Sequence, residues 1–265
     1  MWIGLFDSGL GGLAISKAVI DRLPLYDFLY LGDTKRVPYG SRSQETIHEF
    51  VSDALTFLFE HDCQLVILAC NTASAEALRK SQQEYLPRNY PDRRILGVVI
   101  PTAESVFDGP QTSRVGVLAT TSTVESNAYP REISLRGPNV EVIQEPAPLL
   151  VPLIENDGLK YVAPVLEDYL EPLKSANVEA VVLGCTHYCL IKDEVRRRID
   201  CRVISQDEII PEKLAVYLRR HPEIDAKLSK LGRRRYVVTD CTASYSKLAK
   251  RLAGDEVELE RVVLR

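Results

Sequence analysis

Apolar residues in this chain fall into short unbroken runs, separated by segments in which they recur every three or four positions. Runs of this length bounded by small or polar residues read as buried parallel strands, and the three-to-four spacing reads as helices that cover them. Strands are expected at 3–7, Phe28 to Leu31, Leu65 to Ala69 and Ile95 to Ile100, the last stopped by Pro101. Between them, Gly9 to Gly12 opens a helix in which Ile15, Val19 and Leu23 repeat every four residues before Pro24. Ser43 caps a second helix whose Ile47, Phe50, Val51, Ala54, Leu55 and Leu58 form one apolar stripe, and Ser74 to Tyr85 forms a third. The alternation then repeats, with strands at 114–118, 140–143, 180–184 and 202–204 and helices near 123–135, over Val162 to Leu173, and near 190–199. A tail adds a helix near 211–220, a strand at 236–239 and a helix near 244–253.

Two of these strands carry the same device. Val66-Ile67-Leu68-Ala69-Cys70-Asn71-Thr72 and Val181-Val182-Leu183-Gly184-Cys185-Thr186-His187 are aliphatic runs that end in cysteine and a polar pair. Ile3-Gly4-Leu5-Phe6-Asp7-Ser8-Gly9 likewise matches Val115-Gly116-Val117-Leu118-Ala119-Thr120-Thr121 at nearly the same offset. Two matching pairs at a common offset imply a duplicated unit. The expected fold is therefore α/β: two pseudo-symmetric three-layer αβα domains with largely parallel sheets and the active site in the cleft between them. The first domain comprises residues 1–97 plus 209–265, the tail returning to it, and the second comprises 98–208.

The 265 residues are 45% hydrophobic and 26% charged, an ordinary globular composition that excludes disordered and fibrous classes. A net charge of -4 gives no basic field for a nucleic-acid backbone, and the runs Arg196-Arg197-Arg198 and Arg233-Arg234-Arg235 read as solvated faces. Met1 leads straight into the first strand without a leader pattern, and no apolar stretch is long enough to span a bilayer, so a cytoplasmic location without membrane contact is expected. Six cysteines in such a chain read as free thiols.

A thiol at a strand end, just before a helix, lies near backbone N–H groups that favour thiolate, which makes Cys70 and Cys185 candidates for reactive groups. The alternative is that both are small buried hydrophobes. Asp7 and Ser8 sit at another strand end, where the carboxylate could orient a thiol or merely cap the following helix. His187 is a candidate acid or base or a structural residue. Cys185, His187 and Cys189 lack the paired spacing of a zinc site, so no metal is expected. The glycines at 9, 11 and 12 lack the third glycine of a dinucleotide fingerprint and the lysine of a P-loop.

Four segments taken together resemble the motifs of bacterial glutamate racemases, in the cofactor-independent aspartate/glutamate racemase superfamily. They are Phe6-Asp7-Ser8-Gly9-Leu10-Gly11-Gly12, Gly32-Asp33-Thr34-Lys35-Arg36-Val37-Pro38-Tyr39-Gly40, Ala69-Cys70-Asn71-Thr72-Ala73 and Leu183-Gly184-Cys185-Thr186-His187-Tyr188. The resemblance implies a homodimer that needs no cofactor and uses two bases on glutamate. Cys70 would serve the D enantiomer with Asp7 assisting, and Cys185 the L enantiomer with His187 assisting. It also implies an acidic residue, Glu155, near the second thiol. Ser8, Pro38, Tyr39 and Gly40 would hold the side-chain carboxylate, and Asn71, Thr72 and Thr186 the α-carboxylate and amine, with Thr120 and Thr123 contributing from the second half. The product would be D-glutamate for peptidoglycan. Val37, where many relatives have Cys, and Cys189, where Pro is common, depart from the pattern without touching the two thiols. The rival readings are an aspartate racemase, a hydrolase with Cys185 as its nucleophile, and a glutamate-binding protein without turnover.

Overall fold

The computed structural model describes residues 1–156 and 158–264. Among the described residues, ten strands form two fully parallel sheets. β1 (Trp2–Asp7), β2 (Phe28–Gly32), β3 (Cys63–Leu68) and β4 (Arg94–Gly97) belong to the first sheet, and β5 (Arg114–Ala119), β6 (Glu141–Pro146), β7 (Ala180–Gly184) and β8 (Arg202–Ile204) make up the second. The order β2-β1-β3-β4 is repeated as β6-β5-β7-β8, which is the duplication read from the sequence. β9 (Arg234–Val238) and β10 (Leu259–Arg261) return from the end of the chain and extend the first sheet beyond β2. Because every strand runs the same way, β1 and β3 end side by side, as do β5 and β7, and both thiols follow such ends.

The central strands β1, β3, β5 and β7 are mostly apolar because helices cover both faces. Along β3, Leu65 and Ile67 join a core that includes Leu13, Ile15 and Val19 of helix Gly12–Arg22, whereas Val66 and Leu68 join one with Val51, Leu55 and Leu58 of helix Gln44–Glu60. β7 alternates in the same way, Val181 and Leu183 meeting Leu166 and Leu170 while Ala180 and Val182 meet Tyr129 and Ile133.

Several expected elements differ in extent. The strand expected to run to Ile100 ends at Gly97, and a helix, Val99–Ser105, takes its place. Pro101 lies in that helix's first turn, where no backbone donor is needed. The helix near 123–135 is two, Thr121–Glu125 and Ala128–Ser134, broken by Asn127 in the left-handed conformation at φ 51°. The third helix begins at Asn71 and ends at Lys80, and a π turn, Ser81–Tyr85, precedes a short helix holding Pro87. The helix near 190–199 is a 3-10 helix, Thr186–Ile191, followed by Lys192–Arg196. The helix expected at 211–220 starts at Gln206 and carries Pro211 inside it.

The arginine runs are ion-paired rather than simply solvated. Arg196 and Arg198 pair with Glu208 and Glu194, and Arg233 grips the fully buried Asp27 with Nε and Nη2 at 2.7 and 2.5 Å from Oδ2. All six cysteines are free thiols, and among the described residues no helix is long and apolar enough to cross a membrane.

Candidate active site

A cavity of about 240 Å³ lies where the carboxyl ends of the two sheets face each other. It is near the lower bound of small-molecule sites. Ser8, Cys70, Asn71 and Thr72 line it from the first half, and Thr120, Glu155, Cys185, Thr186 and His187 from the second, with the 37–41 loop closing one side. The sequence-derived residues therefore converge, except that Asp7 and Thr123 lie just behind the wall, both completely buried.

Cys70 stands two residues past the end of β3 as the N-cap of helix Asn71–Lys80. Its Sγ accepts from the Ala73 N–H at 3.4 Å and donates to Ser8 Oγ at 3.4 Å. Burial and the neighbouring Asp7 carboxylate push this thiol up to about 12, against the stabilising contacts of Ser8 and the Ala73 N–H.

Cys185 occupies the matching place after β7 but has no cap contact with its short helix. Its partner is instead His187, whose Nδ1 lies 3.8 Å from Sγ and whose Nε2 lies 2.9 Å from Glu155 Oε1. Burial opposes a charge on His187, yet the sulfur and the Glu155 carboxylate hold its proton well above the ordinary histidine range. Glu155 reads from sequence alone as a helix-start acid, but it is the last residue of helix Leu150–Glu155, and from there it orients the imidazole.

Asp7 is held by the Gly9 N–H at 3.1 Å and the Thr186 hydroxyl at 3.3 Å. Burial raises its pKa, while His187 and the N–H groups of Gly12 and Gly9 draw it back down. The glycines that raised the question of a phosphate cradle serve this packing. A Cβ on Gly11 would lie 2.6 Å from both His187 Nδ1 and Thr186 Oγ1, and one on Gly12 2.6 Å from Asp7 Cβ.

Among the described residues the lining holds no lysine or arginine, so hydroxyls, amides, N–H groups at helix starts and the His187 imidazole are the groups available to a carboxylate. Thr72, Thr120 and Thr123 form one hydroxyl cluster across the cleft, with Thr72 Oγ1 3.0 Å from Thr120 Oγ1 and Thr120 donating to Thr123 at 2.9 Å. Two lining residues also have buried side-chain partners. The Tyr39 hydroxyl donates to Asp33 Oδ2 at 2.6 Å. The Asn71 side chain is bonded to Gln206 and Tyr129. Sequence reasoning missed Gln206, which precedes the helix expected near 211–220, and it missed Ala147, Pro148, Val151 and Pro152, the apolar wall beside Glu155. Their only signal was position after β6 and β8.

The sequence profile of the Asp/Glu/Hydantoin racemase family matches residues 14–210. A glutamate racemase of Dinoroseobacter shibae is 39% identical over 84% of this chain and 86% of that protein. One from Persephonella marina is 34% identical over 100% and 98%. Among solved structures, the glutamate racemase of Francisella tularensis in complex with D-glutamate superposes with a TM-score of 0.88 at 33% identity, covering 99% of this chain and 97% of that one. The chain belongs to the Asp/Glu/Hydantoin racemase family and is an amino-acid racemase.

Proposed function

We propose that this enzyme interconverts L- and D-glutamate by transferring the α-proton between two cysteines, without a cofactor. The observation that carries the reading is the pair of thiols at equivalent strand ends lining one small cavity. In the L-to-D direction the Cys185 thiolate takes the α-proton, the Cα–H electron pair is left on the substrate, and the Cys70 thiol delivers its proton to the opposite face. Cys185 ends as thiol and Cys70 as thiolate, and the reverse reaction restores both.

An α-proton is far less acidic than an ordinary thiol. A thiol pushed up to about 12, as Cys70 is, narrows that gap, because the thiolate it leaves is a stronger base for the return reaction. Asp7 behind Cys70 and His187 with Glu155 behind Cys185 are the assisting groups. The N–H groups at the start of helix Asn71–Lys80 and the threonine hydroxyls favour the charge that builds on the carboxylate. The division into 1–97 plus 209–265 and 98–208, closing on substrate, supports exclusion of water. A cytoplasmic homodimer that supplies D-glutamate to peptidoglycan completes the reading.

Purified enzyme incubated with L-glutamate in D₂O, without added pyridoxal phosphate, should lose optical activity while taking up α-deuterium. Cys70→Ala and Cys185→Ala should abolish the racemisation. Unchanged chirality, or activity that requires pyridoxal phosphate, overturns the reading, and faster turnover of aspartate reassigns the substrate.

A further inference from the structure

Behind Cys70 lies a buried polar network that the proton-transfer mechanism does not use. Asn71, the first residue of the Cys70 helix, is 2% exposed, and Gln206, Tyr129 and Thr102 are completely buried. Three separate elements of the chain supply these partners: helices Val99–Ser105, Ala128–Ser134 and Gln206–Arg220.

The bonds have only one consistent polarity. The Val98 carbonyl can only accept, so the Thr102 hydroxyl, 2.6 Å away, donates to it. With its single proton committed, Thr102 Oγ1 can only accept from Gln206, at 3.3 Å, which fixes the Gln206 amide nitrogen at that end. That nitrogen also donates to Asn71 Oδ1 at 2.8 Å and shares its second hydrogen between Thr102 Oγ1 and the Tyr129 oxygen, 3.2 Å away, while the Tyr129 hydroxyl donates to Asn71 Oδ1 at 2.7 Å. Asn71 Nδ2 is thereby turned toward Gln206 Oε1, at 2.8 Å. An amide nitrogen carries two hydrogens, and among the described residues this one has a single protein partner, while Asn71 itself lines the cavity. A flip of either amide would place carbonyl against carbonyl or leave Thr102 facing a second acceptor, and buried mismatches of this kind are costly.

We infer that Thr102, Gln206 and Tyr129 are positioning residues that lock the Asn71 amide so that it presents an N–H donor, and not a carbonyl, to a substrate carboxylate. The inference rests on the proposed glutamate reaction for the identity of the ligand. It gives Thr102, which does not line the cavity, control over substrate affinity through the hydrogen-bond polarity that its committed proton sets across two amides.

The test compares Thr102→Val and Thr102→Ser, measuring kcat and KM with L- and D-glutamate together with Tm. Removing the hydroxyl frees the amides to flip, so Thr102→Val is expected to raise KM roughly tenfold for both enantiomers with kcat changed far less. Thr102→Ser, which keeps the hydroxyl, restores wild-type KM. A wild-type KM in Thr102→Val, or equal KM increases in both variants, overturns the inference. Should Thr102→Val fail to fold, Tyr129→Phe takes its place, since it removes the second donor to Asn71 Oδ1. A raised KM at unchanged Tm supports the relay and an unchanged KM refutes it. If the wild-type enzyme does not racemise glutamate at all, the proposed function fails first and separately.

Discussion

Cys70 and Cys185 hold equivalent positions in the two halves but not equivalent surroundings. Cys70 faces a hydroxyl and a backbone N–H, whereas Cys185 faces an imidazole held by a carboxylate. The two thiols should therefore be separable by the enantiomer they exchange. In D₂O, Cys70→Ala is expected to wash deuterium into L-glutamate without inversion, because Cys185 can still remove and return a proton on one face. Cys185→Ala should do the same to D-glutamate, and NMR of the recovered enantiomers reads both. The opposite pattern reverses the face assignment. Gly11 offers a second residue-scale check. Its backbone is ordinary right-handed helix at φ -57°, ψ -35°, so alanine brings no conformational penalty. An added Cβ would nevertheless collide with His187 and Thr186 at 2.6 Å. Gly11→Ala should cut kcat/KM roughly a hundredfold with only a small change in Tm, the outcome for a displaced catalytic partner in an otherwise intact fold.

At the scale of elements, the sequence read best where a periodic signal was long and worst where one apolar run served two structures. Of the helical stripe, Ile47, Val51, Ala54, Leu55 and Leu58 are buried and Phe50 is half-buried against the same core. Ile95 to Ile100 reads as one strand because an apolar run carries no period that separates strand from buried helix, and the chain switches after Gly97. The two thiols and Asp7 were legible as candidates because each stands at or just past the end of a recognisable strand, whereas the threonines came only from the family resemblance. The Tyr39–Asp33 bond and the Asn71 network were not, since the contacts that turn those side chains depend on residues distant in the chain. The return of the tail was legible as pattern but not as energy. Asp27, at the start of β2, accepts from the Leu231 and Arg233 N–H groups at 3.1 and 2.9 Å as well as from the Arg233 guanidinium. Burial works against the Asp27 charge, but these donors outweigh it and hold the pKa at about 2. A folded-state pKa below the unfolded value means that the stabilisation is complete above about pH 4 and is lost as pH falls toward 2. The shift is equivalent to about 2 kcal/mol. Asp27→Asn should therefore lower Tm by roughly 4–8 °C at pH 7. The gap between wild type and variant should narrow as pH drops from 4 to 2, and a gap independent of pH would show that the charge of Asp27 does not clamp the tail.

For the whole molecule, the duplicated sheets explain why one cavity can treat mirror-image substrates alike, and contacts across the cleft already join the two halves. Helix Asn71–Lys80 already reaches across the cleft through Thr72 to Thr120 at 3.0 Å, Ser122 to Glu76 at 3.2 Å and Arg79 to Glu132 at 2.6 Å. On the other side Thr186 meets Asp7. Substrate therefore enters between halves already in register, and binding should appear as stabilisation of this arrangement. A ligand at a hundred times its dissociation constant adds about 2.7 kcal/mol to the folded state, which corresponds to a Tm increase of roughly 5–10 °C for a chain of this size. Cys70→Ala, which cannot invert its ligand, allows each enantiomer to be tested separately. Both L- and D-glutamate should raise its Tm, and aspartate, one methylene shorter, should do so less at equal concentration because it cannot reach both the 37–41 loop and the threonine cluster. Stabilisation by one enantiomer alone would mean that the halves are not equivalent toward substrate, and the symmetry of the two sheets would then describe the ancestry of the fold rather than its chemistry.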